Sequence, residues 1–182
     1  MFVALILGIF VLGSLQVEAK FKTLNCVTFD KDNEFFMCKI KAINRKQNSI
    51  NIGYRIKKTA GSQLMIRLEL FKRANGWRPF LYNITLNVCE FFDSVKNKNS
   101  PNGMLFSLAF YYINPYLKSP MKCPFRENST VEIMNFVSDV NKLRTRFPIE
   151  NGEYAAQFSV YYKRILKYTI NGSLEYLNYR EY

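Results

Sequence analysis

Arg78-Pro-Phe-Leu-Tyr-Asn-Ile-Thr-Leu-Asn-Val88 alternates apolar and polar side chains along its length. Phe80, Tyr82, Ile84, Leu86 and Val88 fall on one side, and Leu81, Asn83, Thr85 and Asn87 on the other. Period two is the mark of a strand with one face on a core. The run just before it, Gln63 to Arg73 (QLMIRLELFKR), repeats the pattern with Leu64, Ile66, Leu68 and Leu70. Ala74-Asn75-Gly76-Trp77 separates the two, and Asn-Gly between alternating runs predicts a hairpin.

The same alternation recurs outward from this hairpin. Phe36, Cys38, Ile40 and Ala42 form one stripe, with Lys39 and Lys41 opposite. Ile50, Ile52, Tyr54 and Ile56 form a second. Tyr154, Ala156, Phe158, Val160 and Tyr162 form a third, and Leu166, Tyr168, Ile170, Leu174 and Tyr176 a fourth. Between Cys89 and Ile113 the alternation stops. Clustered aromatics and Ser100-Pro101, a helix N-cap followed by proline, predict one or two short helices there. The expected fold is mainly β: about seven or eight antiparallel strands in a sandwich, with a short helical insertion.

Residues 2–15 (FVALILGIFVLGSL) form an apolar run followed by small residues at Val17 and Ala19. This reads as a signal peptide over residues 1–19, leaving a single domain over 20–182. Fourteen residues fall short of the ~20 needed to span a bilayer, which ranks a retained anchor below a cleaved leader. The longest later apolar stretch, Met104 to Ile113, is shorter still, so no transmembrane segment is expected. The reading is a secreted, extracellular protein.

The four cysteines, Cys26, Cys38, Cys89 and Cys123, lie beyond the leader. An even count in an exported chain predicts two disulfides. Of three connectivities, Cys26–Cys38 with Cys89–Cys123 is favoured, because each pair is sequential and closes a modest loop. A four-thiolate zinc site would need close pairs, and these cysteines are separated by 11, 50 and 33 residues. Asn83, Asn128 and Asn171 each begin an Asn-x-Ser/Thr sequon. By alternation Asn83 and Asn171 fall on polar strand faces, where a glycan is tolerated.

The chain carries 26 Lys and Arg against 14 Asp and Glu, a formal charge of +12. The basic residues, Lys39, Lys41, Lys57, Lys72, Arg73 and Arg78 among them, are spread along the chain, many on expected solvent faces. Dispersed lysines also blunt strand edges. With export, this argues against nucleic acid as the partner. Lys142, Arg144 and Arg146 are the densest basic group and the one candidate for a polyanion contact.

Histidine is absent, which excludes Ser-His-Asp and Cys-His hydrolysis and any metal site that needs imidazole. No nucleophile elbow or phosphate-cradling glycine loop is present. The expectation is no enzyme, no catalytic residue, no metal and no cofactor.

The stretch Phe71 to Phe92 (FKRANGWRPFLYNITLNVCEFF) resembles the signature of a large insect family of secreted proteins, known only as a domain of unknown function. Cys38 to Arg45, Lys122-Cys-Pro-Phe125 and Phe147 to Tyr154 match it as well, so the resemblance spans about Phe21 to Leu177. Family members often have Tyr after the Cys-Pro and a small or acidic residue before the earlier cysteine. Here those places hold Phe125 and Val88. The family is similar to the ML lipid-recognition fold of the ganglioside activator and the lysosomal cholesterol carrier, and some members are similar to the CheA contact-chemosensory proteins. The resemblance implies an immunoglobulin-like, ML-type sandwich whose sheets part to hold a hydrophobic ligand, with chemosensation as a setting and a membrane receptor as a further partner. It also matches Cys26 with Cys38 and Cys89 with Cys123. Phe80, Tyr82, Phe158 and Tyr162 on the strands, with Phe106, Phe110 and Tyr111 in the helical segment, are the candidate pocket residues. The alternative is a secreted protein-interaction or polyanion-binding module whose aromatics fill the core.

Overall fold

A computed structural model describes residues 17–31, 33–97, 107, 110–139 and 149–178. Eight strands run in chain order as β1 (Val17–Thr28), β2 (Glu34–Ala42), β3 (Asn48–Ile56), β4 (Leu64–Ala74), β5 (Gly76–Asn87), β6 (Ser129–Phe136), β7 (Gly152–Tyr162) and β8 (Ile165–Asn178). A helix, α1 (Val88–Asn97), follows β5, and a 3-10 turn covers Asn114–Tyr116. The strands form a five-stranded sheet in the order β1-β8-β7-β4-β5 and a three-stranded sheet in the order β2-β3-β6. Every pairing is antiparallel. The expected sandwich with a short helical insertion is what the chain forms.

The β4–β5 hairpin closes at Asn75, with Ala74 opposite Gly76 and Gly76 at φ 111°. That backbone is open to glycine and strained for most other residues. Farther along β5 the register shifts and Leu81 takes φ 59°. This bulge and Pro79 interrupt an edge strand, which discourages pairing with another chain. Strand β5 runs directly into α1. Asn87 Oδ1 accepts from the backbone N–H of Cys89 (3.0 Å) and of Glu90 (3.3 Å), so Asn87 caps the helix.

The two sheets meet along β1, which is paired with β8 and packs against β2 and β3. The disulfide Cys26–Cys38 joins β1 to β2 there. On the far side, Cys89–Cys123 ties the start of α1 to the loop before β6. In that loop Cys123-Pro124 is a cis peptide, and Phe125 exchanges two backbone hydrogen bonds with Ala60. The largest core group lies between these clamps. Tyr54, Ile56, Val88 and Phe125 are buried at its centre, and Phe35, Ile66, Leu86, Val131 and Tyr168 pack around them.

Strand β1 takes in Val17 to Ala19, which the sequence reading assigns to the leader. Ala19 lies opposite Tyr176 on β8 and packs against it. The rest of that leader, the expected helix start at Ser100-Pro101 and the basic group Lys142, Arg144 and Arg146 lie outside the described residues.

Candidate functional site

Alternation and register together define the inner face of the five-stranded sheet. One cross-strand row holds Ile84, Leu68, Phe158, Ile170 and Cys26, from β5 through β4, β7 and β8 to β1. The next row holds Leu70, Ala156, Gly172 and Leu24, with Tyr82 following Ile84 on the same side of β5. The row after that holds Lys72, Tyr154, Leu174 and Phe21. Ala156 and Gly172 put almost no side chain between two rows of large ones. The floor therefore dips at Ala156 on the central strand β7, and Leu24 borders the Gly172 end of the dip, with its Cδ1 3.8 Å from where a side chain on Gly172 would begin.

The cover over this face is uneven. Phe91 of α1 is buried on Leu68, with Phe92 and Phe110 beside it. Ring centroids of this trio lie 5.3–6.0 Å apart, with Phe110 edge-on to the other two. Leu68 keeps 8% of its surface and Val160 3%. Leu70, Ile84, Ala156 and Phe158 pack against this cluster and still keep part of their surface open, although β4 and β7 are interior strands whose inner side chains would be sealed in a filled sandwich. Phe80 and Tyr82, on the edge strand β5, are partly buried as well.

At the end of the face, Lys72 Nζ lies 5.8 Å from the ring centroids of both Phe80 and Tyr154. These rings are 5.3 Å apart. Glu150 Oε2 is 2.7 Å from the same nitrogen. Hydrogen bonding to Glu150 holds the Lys72 ammonium above its usual range, and the reciprocal contact holds the Glu150 carboxyl below its own. Tyr154 donates its phenolic hydrogen to the backbone oxygen of Glu150 at 2.9 Å, which places that carboxylate beside the lysine.

Phe80, Tyr82, Phe158 and Phe110 thus share one face, at or beside the dip. Tyr162 sits at the opposite end of β7, across from Leu64, with Lys163 against its ring. Tyr111 is 79% exposed and lines nothing. Successive helical residues point about 100° apart, so Phe110 turning inward sends Tyr111 out. Phe106 lies outside the described residues.

Both expected disulfides are formed. Asn83 and Asn128 stand exposed, Asn128 in a turn at φ 61°. Asn171 does not stand open as alternation suggested. It lies mid-strand between Asn25 of β1 and Gln157 of β7, and its Oδ1 is sealed from solvent without a hydrogen bond. An interior strand hides even its polar side beneath longer neighbours.

Lys72 and Arg78, two of the dispersed basic residues, meet at this end of the face. They lie opposite each other on β4 and β5, on the side that carries Tyr154 and Phe80, with Lys72 half-buried and Arg78 exposed near the end of the hairpin. The signal was in the spacing: Leu64, Ile66, Leu68, Leu70 and Lys72 are in phase.

Among the described residues no helix is long and apolar enough to cross a membrane. No curated protein matches the chain. The model of a family described as a protein of unknown function, DUF1091, matches residues 66–156, which run from β4 through α1 into β7 and take in the β4 and β5 side of the dipped face as far as Ala156. That match covers half of the sequence, and the chain belongs to the DUF1091 family.

Proposed function

We propose that this protein is a secreted, non-enzymatic binder of a lipid or other hydrophobic small molecule. The single observation that carries the reading is the row Leu70–Ala156–Gly172, a low apolar floor on interior strands that solvent still reaches. Apolar pockets walled by aromatics are what hydrophobic ligands occupy. Two disulfides suit an oxidising, extracellular setting. The resemblance to an insect family of ML type, with CheA-like members, adds chemosensation as the setting and a membrane receptor as the recipient. Carboxylates such as Glu34, Glu69, Glu132 and Glu175 are engaged in ion pairs with neighbouring lysines and arginines, which favours binding over acid–base chemistry.

The test is titration of the secreted protein with phenylnaphthylamine, a neutral fluorophore that brightens in apolar sites, together with native mass spectrometry of protein from insect cells. Saturable uptake or a co-purifying lipid is expected, and Ala156→Phe should abolish uptake while the chain stays folded. Overpacking a filled core costs about 1–3 kcal/mol, whereas filling a hollow does not. A wild-type protein that takes up no probe and carries no lipid overturns the reading. So does a loss of stability in Ala156→Phe with uptake intact.

A further inference from the structure

We propose that the ligand of this face is a single-chain amphiphile bearing one carboxylate, with its headgroup held by Lys72 and Arg78 and its chain lying over Leu70 and Ala156. This rests on the hydrophobic-binder reading above and adds the headgroup to it. Lys72 and Arg78 are direct cross-strand partners on one side of the sheet, Lys72 half-buried and Arg78 exposed at the mouth of the face. Like charges placed opposite each other destabilise a strand pair. One acid answers them. Glu150 pairs with Lys72, and the Arg78 side chain has no ion pair or hydrogen bond among the described residues.

The three charges leave one positive charge over, at the end of an apolar floor. A neutral ligand gives no account of two cations in that position. A singly charged carboxylate balances them.

The surroundings fit the same occupant. The rings of Phe80 and Tyr154 flank Lys72, and Tyr154 lies in the row next to Leu70 and Ala156. They form an apolar wall for the first methylenes behind a headgroup. Glu150 sits outside the strands with its side chain 76% exposed, so it stays in solvent beside Lys72 and leaves Arg78 and the inner side of Lys72 to a ligand carboxylate.

The experiment displaces bound phenylnaphthylamine with dodecanoate and with dodecanol, which share a chain and differ in the headgroup. The wild type should bind the carboxylate about tenfold or more tightly than the alcohol, as expected for charge-assisted hydrogen bonds. The double variant Lys72→Gln/Arg78→Gln should lose that preference while keeping its affinity for dodecanol and phenylnaphthylamine. Glu150→Gln should tighten dodecanoate, because a negative charge beside Lys72 is gone. Equal affinity for acid and alcohol in the wild type overturns this inference and leaves the hydrophobic-binder reading standing. So does a preference that survives in the double variant. Failure of every probe to bind the wild type removes both.

Discussion

Asn48 of β3 and the backbone of Phe21 in β1 are joined by two hydrogen bonds: Asn48 Oδ1 accepts from Phe21 N at 2.9 Å, and Asn48 Nδ2 donates to Phe21 O at 2.8 Å. Both residues are buried, and the contact falls where the β1–β8 register shifts between Phe21 and Thr23. The side-chain amide here plays the part of a neighbouring strand's peptide. It satisfies backbone groups beside the bulge and fixes one sheet to the other. Asn51 satisfies backbone beside a second bulge, within the three-stranded sheet, where its Oδ1 accepts from the N–H of Asn135.

Asn48→Ala strands a buried N–H and a buried C=O, at about 1–3 kcal/mol for each group. The expected total loss is about 2–4 kcal/mol, read from urea midpoints. Asn44 also makes two side-chain bonds to backbone, but in an exposed turn, where water replaces them. Asn44→Ala should cost under about 1 kcal/mol. Equal costs for the two variants would show that the Phe21 contact joins nothing of consequence.

The disulfides should differ in worth. Cys89–Cys123 spans 34 residues and Cys26–Cys38 spans 12. Constraint of the unfolded chain gives about 4 kcal/mol for the longer loop and about 3 kcal/mol for the shorter. Paired Cys→Ala variants, compared by urea unfolding under oxidising conditions, should follow that order. A reversed order would place the stabilisation in native packing at the β1–β2 seam instead.

Three buried phenols set the alkaline limit. Burial raises Tyr54, helped by neighbouring Tyr168 and the charge of Asp30, and burial alone raises Tyr168. Tyr112 is pushed up from 10.0 to about 12, chiefly by burial. In the unfolded chain each phenol ionises near its ordinary value, while in the folded chain it stays protonated to higher pH. Between those values the folded state binds more protons, so stability falls as pH rises. The protection is complete below about pH 10 and is lost above it. Tyr112→Phe should flatten the fall between about pH 10 and about pH 12, followed by circular dichroism. An unchanged slope would mean that its hydroxyl meets water in the folded protein.

Phe91 and Tyr111 belong to one aromatic-rich segment and have opposite environments. Phe91→Ala removes the buried ring over Leu68 and should cost about 3–5 kcal/mol. Tyr111→Ala, at an exposed position, should stay within about 0.5 kcal/mol of wild type. Thermal melts of both variants decide the assignment of the α1 cover.

On passage through a glycosylating secretory pathway, Asn83 and Asn128 should carry glycans and Asn171 should not. The first two are exposed, whereas Asn171 lies mid-sheet with its carbonyl oxygen sealed. Glycopeptide mass spectrometry reads each site separately. A glycan on Asn171 in the folded, secreted protein would contradict its place in β8.

The strands legible in the sequence are those whose alternation is unbroken over the stretch that faces the core. Strands β4, β7 and β8 show this, and the β4–β5 hairpin adds Asn75-Gly76. Strand β1 was not legible because its bulge puts Phe21 and Leu24 on one side, breaking the period of two. Strand β6 is short, carries Glu132 within it and is interrupted at Asn135, where φ is 53°. The disulfide pairing was legible because sequential cysteines close short loops. The dip in the inner face was not, since Ala156 and Gly172 read as ordinary small residues until register sets them side by side. The pairing of Lys72 with Arg78 was not legible either, since it depends on the register of β4 with β5 beyond the bulge.

Five strands in one layer lie opposite three in the other, a mismatch of two strand spacings, or roughly 10 Å of width. Sheet hydrogen bonding cannot roof that width, so α1 and its aromatic neighbours do so instead. A roof of that kind is independent of the ladders on which the layers depend. Substitutions in it can reshape the opening and change which guest enters, while the frame beneath keeps its registers and its crosslinks.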